Sequence, residues 1–145
     1  MKRILTIAAT ALLLAACNSE ERQIEKAAYS YLDAMGNYRI DDAEPFASQE
    51  TRESTLPFVK NTIIPMTDTA YIQANQPAEI VIDSLRILCP DTAEVDYTKT
   101  TPIRTITGTI HMVKEDGRWL AHVPLVLPEN LSIPLPQKNS DATAQ

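Results

Sequence analysis

Apolar and polar positions alternate in three different ways along the 145-residue chain. Behind the basic head Met1-Lys2-Arg3, Ile4 to Ala16 is an unbroken run of apolar or small residues. It falls short of the ~20 residues a helix needs to cross about 30 Å of hydrocarbon, so the pattern predicts an export leader and not a spanning helix. From Ile24, apolar residues recur at Ala27, Ala28, Tyr31, Leu32 and Met35, which is one stripe at the 3.6-residue period. The spacing predicts a helix over about 20–35. Ser19-Glu20-Glu21 opens it with a capping hydroxyl and two acids at the positive dipole end, and Gly36-Asn37 stops it. Asp41 to Ala47 contains Pro45 and is expected to make a turn or two. Ser48 caps a further stretch from Gln49 to about Ile64, with Leu56, Val59 and Ile63 on one face and Pro57 expected to kink or split it. Residues 66–76 show no clear period and read as a short helical or irregular connector.

Residues 78–127 follow a period of two. Runs rich in Ile, Val, Thr and Tyr, at Ala78 to Leu88, Ala93 to Thr98, Ile103 to Lys114 and Arg118 to Leu127, are joined by connections too short for crossovers. Neighbouring strands are therefore antiparallel. A two-residue Asp116-Gly117 turn pairs Glu115 with Arg118, Lys114 with Trp119, Met112 with Ala121, His111 with His122 and Ile110 with Val123. Ile106, Gly108, Ile110, Met112, Trp119, Ala121 and Val123 then share the core side, while Thr105, Thr107, Thr109, His111, Leu120 and His122 share the other. A four-residue loop from Lys99 to Pro102 pairs Tyr97 with Arg104 and Val95 with Ile106, and puts Ala93, Val95 and Tyr97 on the core side too. Ile80 and Ile82 are out of phase with Leu85 and Ile87, which predicts a bulge near Asp83-Ser84. Helices followed by an antiparallel meander make an α+β fold. In the tail, Pro124, Pro128, Pro134 and Pro136 predict extended and then disordered chain, in which Leu131, Ile133 and Leu135 alternate and fit a sheet edge or a partner equally well.

Composition narrows the class. With 44% apolar and 22% charged residues, ten Pro, three Gly and two Cys, the chain is neither collagen-like, disulfide-dense nor wholly disordered. Loss of the leader removes Lys2 and Arg3 from 13 basic residues and none of the 19 acidic ones, which leaves eleven against 19 and a charge of −8. Binding to nucleic-acid phosphates needs clustered Lys and Arg, so no nucleic-acid partner is expected.

Leu14-Ala15-Ala16-Cys17 resembles a bacterial lipoprotein lipobox, the alternative being an ordinary cleaved secretory signal with an accidental Cys, which leaves a free protein in the periplasm. The lipobox implies removal of residues 1–16 and a diacylglyceryl thioether on Cys17. Residues 17–21 then form the lipidated start and tether, and two or three acyl chains hold the protein to a bilayer, its membrane partner, at about 0.8 kcal/mol per buried methylene. Asn18 is not the aspartate that marks inner-membrane retention in the enterobacterial sorting pattern, and Glu20-Glu21 is similar to acidic pairs that export lipoproteins to the surface elsewhere. The expected address is the cell envelope, at the outer membrane. Cys89 is left without a disulfide partner and is expected to be a buried or half-buried small residue at a strand end.

The helix ending Tyr31-Leu32-Asp33-Ala34-Met35, the restart Asp41-Asp42-Ala43 to Phe46-Ala47-Ser48 and the hairpin Glu115-Asp116-Gly117-Arg118-Trp119 together resemble the nuclear transport factor 2-like, cystatin-like superfamily. More narrowly, they resemble small bacterial lipoproteins of unknown function with a lumazine-binding-like domain. The resemblance implies N-terminal helices packed on a curved, cone-like four-stranded antiparallel sheet over residues 22–127, followed by a Pro-rich tail at 128–145. It also implies a cavity between helices and sheet.

Enzymes of that superfamily place an acid or His and a Tyr in this cavity, because proton transfer needs a group of tuned pKa within reach of the substrate. The predicted register turns both histidines outward and places no carboxylate firmly inward; Asp83 falls at the bulge. An isomerase or hydratase is accordingly a distant alternative, and the expectation is a non-catalytic binding or interaction module with no cofactor, its partner an envelope protein. The alternative role is capture of a small apolar or aromatic ligand by Tyr31, Tyr97, Arg104 and Trp119, with Arg104 beside Tyr97 binding an anionic or planar group. The opposed reading makes the aromatics core and Arg104 a solvated strand end. His111 opposite His122, with Glu94 or Asp96 across the same face, is a weak candidate pair for a metal ion, since two imidazoles are too few for a structural site.

Overall fold

The computed structural model describes residues 4–127. Helix α1 (Ile4–Gly36) contains the predicted stripe and ends where Gly36-Asn37 predicted, but it runs unbroken from Ile4. Ile24, Ala28, Tyr31, Leu32 and Ala34 are all buried along it. No helix among the described residues is long and apolar enough to cross a membrane. Helix α2 (Ile40–Ala43) and a 3-10 turn at Glu44–Phe46 follow, with Pro45 at the start of that turn, where its missing N–H is tolerated.

Helix α3 covers residues 49–66. Its N-terminus is capped twice: the Thr51 N–H donates to Ser48 Oγ at 3.3 Å, and the Gln49 N–H donates to Glu115 Oε2 at 3.1 Å. Pro57 was expected to kink or split this segment, and instead the helix widens. Thr51–Thr55 and Val59–Ile63 are π-helical, with Leu56 N–H reaching back to Thr51 O and Ile64 N–H to Val59 O. Each widened turn lies just before a proline, Pro57 or Pro65. An α turn would drive the proline ring into the carbonyl four residues earlier, and the longer i→i+5 turn relieves that crowding without breaking the helix. The connector at 66–76 contains helix α4 (Thr69–Ala74), capped by Asp68, whose carboxylate accepts the Ala70 N–H at 2.7 Å.

Strands β1 (Glu79–Cys89), β2 (Thr92–Thr101), β3 (Arg104–Glu115) and β4 (Arg118–His122) form one antiparallel sheet in the order β1-β2-β3-β4. With the helices preceding it, the fold is α+β. The β3–β4 register matches the expected one from Glu115↔Arg118 through His111↔His122, and the turn has φ of 51° at Asp116 and 75° at Gly117, the left-handed pair such a hairpin requires. The expected bulge lies between Ile82 and Ser84.

Several sequence expectations are overturned. The β2–β3 loop is a two-residue Pro102-Ile103 turn, so Thr101 pairs with Arg104, Lys99 with Ile106 and Tyr97 with Gly108. Pro102 presets the turn dihedral, and Thr101 Oγ1 accepts the Arg104 N–H at 3.2 Å to close it. The shift is an even number of residues, so every side chain keeps its face. Strand β4 stops at His122 because helix α3 takes the next residue: the Val123 N–H donates to Thr51 Oγ1 at 2.8 Å and its carbonyl accepts from Thr55 Oγ1. Pro124, which has no N–H, then rules out a resumed ladder. Leu120 is buried although it lies on the opposite face, outside the main cluster, and Cys89 is exposed at the tip of the first hairpin, where nothing packs over a strand end. The predicted tail alternation of Leu131, Ile133 and Leu135 lies outside the described residues.

The core fills the space between α1 and the inner sheet face. Ile24 meets Val95, Ile110, Met112, Trp119 and Ala121 in one cluster, each buried side chain contributing about 1.5–3 kcal/mol when large and apolar. Asn37 ties the layers together at the end of α1. Its side chain accepts the Ala78 N–H at 2.8 Å and donates to Ala78 O at 3.1 Å and Asp33 O at 2.9 Å.

Candidate functional site

A cavity of about 400 Å³ opens between the last turns of α1 and strands β2 and β3. Its apolar wall includes Leu32, Met35, Ile110 and Val123; its polar lining residues include Tyr31, Tyr97 and Lys99, and also His111 and His122, which the predicted register turns away from it. Helical periodicity places Tyr31 and Met35 one turn apart on the buried side of α1. Strand alternation places Tyr97 and Lys99 on the inner face of β2, in phase with the buried Ala93 and Val95.

Tyr97 lies across its cross-strand partner Gly108. A Cβ built on Gly108 would sit 2.8 Å from the Tyr97 hydroxyl, so only glycine lets the ring lie down there. Gly36 makes the corresponding close approach on the helix side: a Cβ there would come within 3.2 Å of Ala78 Cβ and 3.3 Å of Lys99 Cδ. Burial, reinforced by charge on Tyr97, pushes the Tyr31 phenol up to about 12, and burial also raises the Tyr97 phenol. Both stay protonated at neutral pH and can donate to a ligand carbonyl or carboxylate. Lys99 moves in the opposite sense for the same reason: burial and then the nearby Arg104 charge hold its ammonium below the ordinary lysine range.

Of the four predicted ligand-binding residues, the structure brings Tyr31 and Tyr97 together and separates the other two. Arg104 is displaced from Tyr97 by the tighter turn, is exposed, and lies over the Tyr71 ring of α4 at 5.8 Å from its centre. Trp119 is buried beyond the cavity, under Lys114, whose ammonium lies 5.6 Å from its ring centre and 3.0 Å from Glu20 Oε1. The hydrogen bond from Lys114 holds Glu20 below its usual range. Lys99 was missed by the sequence reading. The signal is its parity, because Lys99 continues the inward series Ala93, Val95, Tyr97 past Thr98.

The histidine pair is adjacent as expected, yet the two rings turn to different partners. His111 Nδ1 is 3.6 Å from Glu94 Oε1, whereas His122 Nδ1 is 3.1 Å from the buried Ser48 hydroxyl and its Nε2 is 3.7 Å from Glu50. The carboxylates on that face already serve Arg86, which bonds Glu94 at 2.8 Å and Asp96 at 3.0 Å. Hydrogen bonds from Thr109 and then Ser84 keep Asp96 below its ordinary range. No cluster of three or more metal-ligating side chains occurs among the described residues.

No family model matches the chain, and no curated protein matches it. Among solved structures it is similar to a NTF-2 like protein of unknown function from Shewanella oneidensis MR-1, at 18% identity over 71% of this chain and 97% of that one, with a TM-score of 0.49.

Proposed function

We propose that the protein is a lipid-anchored envelope module of the nuclear transport factor 2-like type that binds a small, largely apolar ligand without transforming it. The observation that carries the binding reading is the cavity bounded by Tyr31, Met35, Tyr97 and Ile110. At about 400 Å³ it lies in the range of small-molecule sites, with a mostly apolar wall and a few convergent polar groups. Two phenols and an ammonium can hold and orient a ligand. Titration of the full-length chain with the neutral fluorophore N-phenyl-1-naphthylamine is expected to show saturable one-to-one binding that shifts the methyl resonances of Met35 and Ile110. Binding that leaves those methyls unmoved, or no binding, overturns the reading.

The anchoring reading rests on Leu14-Ala15-Ala16-Cys17 behind a basic, apolar leader. In a bacterial host, mass spectrometry of the membrane fraction is expected to find a chain beginning at Cys17 and carrying a diacylglyceryl group. Cys17→Ser should leave the leader uncut at that position and remove the lipid. A mature chain with an unmodified thiol at Cys17 overturns the anchor, and with it the outer-membrane address.

A further inference from the structure

Charge in the cavity wall is one-sided. Among its lining side chains Lys99 is the one with a formal charge at neutral pH, in a chain whose net charge is −6. Two other lysines are matched, Lys60 by Asp41 and Lys114 by Glu20 at 3.0 Å, while Lys26 stands exposed on α1. Lys99 has no carboxylate within 4.0 Å among the described residues, and the charge that acts on it is the like charge of Arg104. Its methylene stem lies against the end of α1 at Gly36, which limits where the ammonium can reach. Partial burial of the Lys99 head makes a compensating anion favourable there. The partial negative charge at the C-terminus of α1 contributes to that compensation but does not neutralise a full charge.

We propose that Lys99 anchors the anionic head of an amphipathic ligand, an apolar monocarboxylate whose body fills the space between Met35, Ile110 and Val123. The inference rests on the ligand-binding reading above and specifies its chemistry. The carboxylate takes a charge-assisted hydrogen bond from the Lys99 ammonium, and the protonated Tyr97 hydroxyl on the same strand face is a second donor. Arg104 adds long-range attraction from outside the cavity wall. The anion gives Lys99 the counter-charge that the protein itself does not provide.

The experiment is displacement of N-phenyl-1-naphthylamine from the full-length chain by decanoate and by 1-decanol, which share a tail and differ in the head. Decanoate is expected to displace the fluorophore at about tenfold lower concentration than decanol, the worth of one charge-assisted contact. Lys99→Met should abolish that difference between the two ligands, and Lys99→Arg, which keeps the charge, should preserve it. Equal displacement by the two ligands in the parent chain, or a preference that survives Lys99→Met, overturns the proposal while the cavity reading stands. No fluorophore binding by the parent chain overturns both.

Discussion

Asn37→Ala is expected to destabilise the protein by about 3 kcal/mol. The Asn37 amide substitutes for a neighbouring strand, accepting the Ala78 N–H and donating to the Ala78 carbonyl one residue before β1 enters the ladder. Ala78 is only 6% exposed, so truncation leaves a buried backbone donor and acceptor without partners, at about 1–3 kcal/mol for each unsatisfied group. The same amide holds the last turn of α1 through Asp33 O, and Gln76 Nε2 donates to the Asn37 carbonyl at 2.8 Å. Asn37→Asp keeps the acceptor and loses the donor, so it should fall between parent and alanine variant. Urea denaturation measures all three. An alanine variant within about 0.5 kcal/mol of the parent would show that water replaces the amide at no net loss, contrary to the arrangement described.

Stability should also fall at high pH, and Tyr31 carries a share that can be isolated. Burial pushes Tyr31 up to about 12 in the folded protein, against an ordinary tyrosine value near 10. A group raised on folding contributes stability that is complete below its unfolded value and is lost as pH rises through the folded one. The Tyr31 contribution is therefore intact below pH 10 and disappears between about pH 10 and 12. Two pH units at about 1.4 kcal/mol each amount to roughly 2–3 kcal/mol. Tyr31→Phe cannot ionise, so its denaturation midpoint should change less across that window, and the difference between the two proteins isolates Tyr31 from Tyr97 and the lysines. Parallel midpoint curves from pH 9 to 12 would contradict the burial of the phenol.

The parts of the fold legible in the sequence are those fixed by local rules. Asp116-Gly117 requires two left-handed residues and so sets the β3–β4 register. The phase change between Ile82 and Leu85 reports the bulge, and the Ile24 to Met35 stripe reports the face of α1. The failures share a different cause: each was decided by a partner distant in sequence. Val123 leaves the ladder because Thr51 and Thr55, on a helix some seventy residues earlier, capture its backbone. Helix α3 survives Pro57 because its turns can widen, a response no residue pattern announces. In the β2–β3 connection Pro102 is the first corner of a two-residue turn and not the end of a longer loop, so Gly108, and not Arg104, lies opposite Tyr97. Half of the candidate site was legible, since Tyr31 and Tyr97 follow from periodicity alone. Lys99 was not, because a charged residue near a suspected turn is ordinarily read as solvent-facing.

The continuity of α1 links residue 17 to the cavity wall through one helix. Fourteen residues separate Cys17 from Tyr31 along one helix, a rise of roughly 21 Å at 1.5 Å per residue. Glu20 already meets Lys114 and Ile24 is fully buried, so the sheet is packed on this helix within two turns of residue 17.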